Sequence, residues 1–173
     1  MNDRLRAVGA GLWLWAVCAA VSAQTCRNDI ASTAPDSRFT DRGDGTVSDS
    51  ATGLMWKQCA EGLSGVGCAS GTVTTLNWEE ALQRAADAVF AGYTDWRLPN
   101  KNELESLVER RCYSPAINAR FFPNTPLSSG WVWSSSPYAP YPNDAWEVSF
   151  DDGKVYWDRN DFRSRVRLVR GGE

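Results

Sequence analysis

Apolar residues recur at helical spacing in a segment that starts just after Asn77. Asn77 is a residue type that caps helix N-termini, and Glu80 stands three places further on, so the two form the pattern of a capping box. Gly92 is a residue type that commonly ends a helix. The pattern therefore predicts a helix up to Gly92 with one apolar face, which consists of Trp78, Ala81, Leu82, Ala85, Ala86 and Val89.

A second segment repeats this arrangement after Pro99. Asn100 and Glu103 again stand in the relation of an N-cap residue to the third residue of its helix. The apolar positions that follow are spaced three or four residues apart, as on one face of a helix. We therefore predict a second helix that runs to about Arg111, with an apolar face of Leu104, Leu107 and Val108.

Shorter runs of alternating or mostly apolar residues predict β-strands on both sides of these helices. Asp and Gly residues at 43–45 and 151–153 suit hairpin turns because they tolerate a positive φ angle. In the run 145–150, alternation puts Trp146, Val148 and Phe150 on one face of a strand. Two helices followed by a set of antiparallel strands predict an α+β domain, with strands at 46–49, 54–57, 131–136, 145–150, 154–158 and 165–170.

Residues 1–23 have the features of a cleaved secretory signal. Arg4 and Arg6 precede an uncharged run from Ala7 to Val21, and small residues stand just before Gln24. The run is shorter than the roughly 20 residues that span a bilayer. We therefore expect an exported protein, either periplasmic or secreted to the cell surface, without a membrane span after cleavage. Residues 24–37 are expected to form an irregular lead-in to one domain at 38–170.

Four cysteines remain after this cleavage, and three pairings among them are open. An even number of cysteines in an exported chain favours two disulfides. The Gly- and Ser-rich segment between Cys59 and Cys68 can close locally, which leaves Cys26 to pair with Cys112 and to tie the N-terminus to the end of the second helix. The cysteine spacing matches no common zinc site and histidine is absent, so no metal site is predicted.

The composition excludes several classes of function. Without histidine the chain has neither a Ser-His-Asp nor a Cys-His catalytic set, nor a histidine pH switch. The net charge is −3, and removal of a leader that holds Arg4, Arg6 and Asp3 makes the chain more negative. General nucleic-acid binding needs a dominant positive field, so we expect no nucleic-acid partner.

Several motifs follow one another in a recognisable order. They are FTDRGDGTVSDSATGLMW at 39–56, NWEE at 77–80, GYTDWRLP at 92–99 with EL at 103–104, WSSS at 133–136, AWEVSFDDG at 145–153 and VRLVR at 166–170. In this order the motifs resemble the Lcl C-terminal domain family, which is named after the C-terminal domain of a bacterial collagen-like surface adhesin. The resemblance covers roughly residues 38–170.

This resemblance implies a fold related to the C-type lectin-like group, with two helices and a mostly antiparallel sheet under long loops. For the adhesin it implies binding of sulfated polysaccharides at a cell surface, although the adhesin's collagen-like repeat is missing from this chain. The same fold group includes a sulfatase-modifying oxidase that holds copper with paired cysteines. Since the four cysteines here are expected in disulfides, that activity is not carried over and no cofactor is expected.

Basic and aromatic residues are interleaved near the C-terminus. Guanidinium groups bind sulfate and carboxylate groups, and aromatic faces contact the C–H surfaces of sugars. An exposed loop tyrosine can stack against a sugar ring in the same way. We therefore predict that an anionic glycan would contact Lys154, Arg159, Arg163 and Tyr138.

A structural interpretation competes for the remaining arginines and for most tryptophans. Arg165, Arg167 and Arg170 would then pair with acids and hold the sheet together, the candidate acids being Asp95, Glu103 and Glu147. The tryptophans that lie in motifs or on apolar stripes are expected in the core. They are Trp56, Trp78, Trp96, Trp133 and Trp146.

No carboxylate pair in the sequence has the companions that catalysis needs. Asp151 and Asp152 suit a turn, and acids at a helix start such as Glu79 complement the helix dipole. Asp41, Asp44 and Asp49 suggest calcium, but their spacing does not match an EF-hand. We therefore predict a non-enzymatic binding module for an anionic polysaccharide or a surface partner. The alternatives are a structural or protein-interaction domain of the bacterial envelope and a degenerate oxidase or hydrolase; no particular oligomeric state is predicted.

Overall fold

The computed structural model describes residues 24–127 and 130–172, so the predicted signal at 1–23 lies outside the described residues. Helices α1 and α2 span Trp78–Ala86 and Lys101–Glu105. Short 3-10 turns lie at Asp36–Arg38 and Val66–Cys68. The strands in chain order are β1 Thr25–Cys26, β2 Phe39–Asp41, β3 Thr46–Asp49, β4 Leu54–Lys57, β5 Leu63–Ser64, β6 Ser70–Gly71, β7 Thr75–Leu76, β8 Cys112–Tyr113, β9 Trp131–Pro137, β10 Asp144–Ser149, β11 Val155–Arg159, β12 Ser164–Arg165 and β13 Val169–Gly171.

Two sheets contain most of these strands. The five-stranded sheet has the order β11-β10-β9-β12-β7, and the four-stranded sheet has the order β13-β4-β3-β2. Neighbouring strands are antiparallel except β12 and β9, which are parallel. The pairs β1–β8 and β5–β6 form two small additional sheets. The architecture is α+β, as predicted, and none of the helices in the described ranges is long and apolar enough to cross a membrane.

Both predicted disulfides are confirmed. Cys59 and Cys68 close the loop between them, and Cys26 is bonded to Cys112. The second bond joins β1 to β8, where the two cysteines stand opposite each other in register. We had expected this bond to reach the end of the second helix. That expectation is wrong, because the helix ends at Glu105, before Cys112. The lead-in is therefore attached to the domain by a short sheet as well as by a disulfide.

The helix starts are predicted correctly and the helix ends are wrong. Both capping boxes form, with reciprocal bonds between Asn77 and Glu80 in α1 and an equivalent pair in α2. However, α1 ends at Ala86, and Val89 is 74% exposed rather than part of the buried face. Soon after the helix end, the Phe90 backbone pairs with Tyr93 in a tight turn that redirects the chain.

The second helix is also shorter than predicted. After its last residue, the Ser106 hydroxyl donates to the Glu103 carbonyl, a local bond that competes with helix continuation. Val108 then forms a β-bridge with Ile117, and the Glu109 amide donates to the Ala116 carbonyl at 3.0 Å. Leu107 and Val108 are buried as predicted, although they are not helical.

The predicted strands occur within a few residues of their expected limits, with one exception. The run 165–170 was expected to be a single strand, but β12 belongs to the five-stranded sheet and β13 to the four-stranded sheet. The residues between them are Val166, Arg167 and Leu168, all of which are buried. This run therefore connects the two sheets through the interior of the domain.

The core has two parts, which lie on opposite faces of the five-stranded sheet. One includes Val148 of β10 together with Trp56 and Phe122, and the other includes Ala145 of β10 with Trp133. Because both faces of β10 are covered, its polar residues Glu147 and Ser149 are buried as well. The expected core tryptophans Trp56, Trp96 and Trp133 are buried, whereas Trp78 and Trp146 are only partly buried.

Candidate functional site

The four predicted contact residues do not form one cluster. Lys154 directly precedes β11 and Arg159 ends it, so the two are about 16 Å apart along the strand. The guanidinium group of Arg163 donates to the carbonyl of Thr75 in β7, which is the opposite edge strand of the same sheet. Tyr138 lies just after β9, in the loop that leads to β10. The structure therefore separates the three cations.

Each of these cations forms an ion pair with an acid of its own neighbourhood. Lys154 Nζ lies 2.6 Å from Asp152, and Arg159 lies 2.6 Å from Asp161. Arg163 pairs with Glu80 at 3.0 Å. All six side chains are substantially exposed, so each pair contributes little to stability. An anionic group of a ligand can take the place of the acid in such a pair at small energetic cost.

Tyr138 belongs to a continuous row of aromatic side chains along the edge of the five-stranded sheet, which we call the aromatic band. The ring of Trp157 is stacked between Tyr156, at a centroid distance of 4.7 Å, and Tyr138, at 4.5 Å. Three further rings complete the row by tilted or edge contacts. The band consists of Trp131, Tyr138, Tyr141, Trp146, Tyr156 and Trp157.

Strand register and a tight loop bring the band together. The hairpin of β10 and β11 sets Trp146 directly opposite Trp157. Backbone bonds within the preceding loop connect Tyr138, Tyr141 and Asp144, which holds both loop tyrosines beside the hairpin. Because β11 is an edge strand, nothing in the sheet covers its outer side. Tyr141 and Tyr156 are consequently 58% and 50% exposed.

Charged groups border the band at both ends and on one side. A cavity of about 410 Å³ lies at one end, and its lining includes Tyr141, Asn143, Asp144 and Arg159. Lys154 lies at the other end, next to the hairpin turn. Lys101 Nζ lies 5.0 Å from the Trp146 ring centroid, in a cation–π contact. The structure thus connects two predicted residues, Tyr138 and Arg159, through Tyr141.

Glu147 is a buried neighbour of the band. It stands opposite Tyr156 in the register of β10 and β11 and is only 1% exposed. Its pKa is raised to about 7, mainly because burial disfavours the charged carboxylate; a bond with Ser164 opposes the shift and the nearby Asp158 adds to it. One of its carboxyl oxygens, Oε1, has no hydrogen-bond partner in the described structure. We had expected Glu147 as an arginine partner, but its neighbours are Ser164 and Asp158.

The arginines of the VRLVR motif are structural. Arg170 pairs with Asp95 at 2.7 Å, as the structural interpretation predicted. Arg167 is enclosed and donates to the carbonyls of Lys57 and Gln58, and burial lowers its pKa to about 10. The other expected acid, Glu103, is occupied elsewhere, because it pairs with Arg97 at 2.8 Å.

The aspartates that suggested calcium accept hydrogen bonds from nearby backbone amides or pair with an arginine. Asp41 accepts the amide of Gly43, and Asp44 accepts the amide and hydroxyl of Thr46. Asp49 forms a buried ion pair with Arg38 at 2.5 Å. No group of three or more potential metal ligands occurs among the residues that the structure describes.

Most of the aromatic band was not identified from the sequence. Tyr156 and Trp157 belong to the C-terminal segment in which basic and aromatic residues are interleaved, but the sequence pattern does not select them as contacts, and it puts Trp146 in the core. The signal that could have found the band is the hairpin turn at 151–153, since counting outward from it sets Trp146 against Trp157. No comparable sequence signal predicts that Tyr141 joins the band, because its position depends on the conformation of the loop.

A family model, described as the Lcl C-terminal domain, matches residues 45–170. The match includes both helices, the strands from β3 to β12, the first two residues of β13 and all residues of the aromatic band. No curated protein matches the sequence at a significant level. The matched segment makes up more than half of the chain, and the chain therefore belongs to the Lcl C-terminal domain family.

Proposed function

We propose that the domain is an exported, non-catalytic module that binds polysaccharide chains along the aromatic band. The observation that carries the proposal is the exposure of Tyr141 and Tyr156 within one connected row of rings. Contiguous exposed apolar surface commonly marks a binding site. Aromatic side chains offer apolar faces to the C–H groups of a sugar, and their polar atoms can bond to its hydroxyl groups.

The charges at the band favour polysaccharides that carry sulfate or carboxylate groups. Arg159 and Lys154 lie at the two ends of β11, and Lys101 lies beside Trp146. Because the ion pairs of Arg159 and Lys154 are exposed, a ligand anion can replace Asp161 or Asp152 as the partner. Arg163 contacts the opposite edge strand and is left out of the proposed surface.

The proposal also includes export of the protein from the cytoplasm and a fold relationship to C-type lectin-like domains. Two disulfides support an oxidising compartment outside the cytoplasm, in line with the leader that the sequence predicts. A relationship to C-type lectin-like domains is supported by the α+β layout with long connecting segments. In this proposal the loop 138–144 and the edge strand β11 present the binding surface.

Binding to immobilised heparin tests the proposal. The chain is expressed with its own leader so that its disulfides form. Replacing both exposed band residues, in Tyr141→Ala/Tyr156→Ala, should weaken binding roughly tenfold or more, because each ring contributes on the order of 1 kcal/mol. Arg159→Gln should weaken binding several-fold and reduce its dependence on salt concentration.

Matched controls are available elsewhere on the surface. Tyr113 is an exposed tyrosine outside the band, and Arg120 is an exposed arginine in an ion pair with Asp36. Tyr113→Ala and Arg120→Gln should leave heparin binding within twofold of the unmodified protein. Equal affinities for the band variants and their controls would refute the proposed binding surface.

A further inference from the structure

A second concave surface lies away from the aromatic band. It consists of two cavities of about 840 and 650 Å³ that share Lys57 and Phe90 in their linings. The disulfide-closed loop 59–68 and the turn 41–45 border one cavity, and α1 borders the other. None of the band residues lines either cavity, so this groove is distinct from the proposed polysaccharide surface.

Apolar side chains line both cavities of the groove. Val66 is 98% exposed at the tip of the disulfide-closed loop, and Val89 is exposed just beyond α1. Phe90 lies between them as a shared lining residue. Gly65 and Gly67 flank Val66 with positive φ angles, and the Cys59–Cys68 bond closes the loop around this turn. A partner that covers these side chains would gain free energy from their removal from water.

The rim of the groove has an excess of acidic groups without ionic partners. Asp41 and Asp44 line one cavity, and Glu79 and Asp87 line the other. Within the described ranges, none of these four carboxylates has a cationic group within ion-pair distance. Two of the lining cations are already paired, Lys57 with Glu61 and Arg120 with Asp36, and in the described ranges Arg84 is the lining cation without an ion pair. The unpaired charge is therefore negative in both cavities.

We infer that this groove docks a segment of another protein in which basic residues alternate with aliphatic ones. Its aliphatic residues would contact Val66, Phe90 and Val89, while lysine or arginine side chains would meet the carboxylates of the rim. Charge complementarity selects a basic segment over an acidic one. The apolar contacts distinguish docking from a general attraction of cations to an acidic protein.

The test uses two synthetic peptides of equal length and charge, one of alternating lysine and leucine and one of alternating lysine and serine. Each peptide is titrated into the isotope-labelled full chain with its disulfides formed, and binding is monitored by NMR. We expect the lysine–leucine peptide to bind at least tenfold more tightly and to shift the signals of Val66, Val89 and Phe90 more than those of the aromatic band.

Surface variants sharpen this test. Val66→Ser should weaken binding of the lysine–leucine peptide about fivefold, and since the side chain is exposed the fold should not change. Asp41→Asn/Glu79→Gln should weaken binding about tenfold. The control Asp29→Asn/Asp161→Asn removes the same charge from exposed acids outside the groove and should change binding less than twofold.

Three results would overturn the inference. The first is equal affinity for the two peptides, or no binding of either. The second is an unchanged affinity in Val66→Ser. The third is an equal loss in the groove variant and in its charge-matched control, which would indicate attraction to the overall negative charge alone. Each of these outcomes is independent of whether the aromatic band binds polysaccharide.

Discussion

Arg167 and Arg159 belong to the same basic segment of the sequence, yet the structure places them in opposite environments. The Arg167 side chain is buried and donates to backbone carbonyls, and its Cζ atom lies 5.0 Å from the Phe122 ring centroid. Arg159 is exposed at the end of an edge strand and pairs with Asp161. A run of arginines is therefore not by itself evidence of a ligand surface, because a buried arginine stabilises the fold whereas an exposed one is available to a ligand.

The same boundary between interior and surface separates two facing residues of one hairpin. Glu147 and Tyr156 stand opposite each other on β10 and β11, but Glu147 is buried and Tyr156 is half exposed. Position in the sheet explains the difference, since β10 has a neighbour on each side and β11 is an edge strand. Charged groups inside this boundary affect stability, and aromatic groups outside it are available for binding.

The largest expected effect comes from Arg167. Arg167→Ala leaves the carbonyls of Lys57 and Gln58 without their donor and creates a cavity beside Phe122. We expect the free energy of unfolding to fall by about 3–5 kcal/mol, measured by urea denaturation. Arg167→Leu fills much of the space and should remain clearly destabilised. Full stability in the leucine variant would show that packing, rather than hydrogen bonding, is the role of Arg167.

An intermediate effect is expected from the ionisation of Glu147. Its pKa rises from 4.5 to about 7 on folding, so the folded protein binds the proton more tightly than the unfolded chain does. Its contribution to stability is complete below pH 4.5 and is lost as the pH rises through about 7. We therefore expect the free energy of unfolding to fall by roughly 3 kcal/mol across this window.

Glu147→Gln isolates this contribution. The variant should lose the downward slope of stability between pH 4.5 and 7, whereas Glu79→Gln, at an exposed acid of α1, should retain it. Asp49 and Glu109 act in a different window: burial raises their pKa values, hydrogen bonds outweigh it, and the net pKa is lowered. Their contribution is lost only as the pH falls below the ordinary carboxyl range, so the two effects are separable. A flat profile in the unmodified protein would contradict the assignment.

The smallest expected effect on stability comes from Arg159. Its ion pair with Asp161 is exposed on both sides, and such pairs contribute little. Arg159→Ala should change the free energy of unfolding by less than about 0.5 kcal/mol, measured beside Arg167→Ala under the same conditions. A loss comparable to that of Arg167→Ala would show that Arg159 is also part of the structural framework.

Local signals predicted the points at which the chain starts and turns. The capping boxes at Asn77 and Asn100 formed as expected, because their bonds join residues three positions apart. The turn at 151–153 and the loop closed by Cys59 and Cys68 are equally local. In contrast, the apolar spacing gives no sign that α1 ends at Ala86, before the turn of Phe90 and Tyr93 against which Trp96 packs.

The candidate site was predictable only in part. The sequence identified the residue types and named Tyr138 and Arg159, which the structure places at the same end of the band. The predicted strand 154–158 already puts Lys154 and Arg159 at opposite ends of one strand, but no local pattern indicates where Arg163 lies. Arg163 contacts the far edge strand β7 since the chain enters β12 directly afterwards. Only the strand order of the sheet contains that information.

The sequence by itself determined the α+β class, both disulfides, the helix starts, the hairpin turns and membership of the family. These properties depend on neighbouring residues or on ordered motifs, which a linear pattern records directly. Tertiary structure alone decided which arginines are enclosed, that the last basic run joins two sheets, and that six aromatic side chains form one row with two exposed members. The physical reason is that burial and ring contact depend on strand order and on what covers each face.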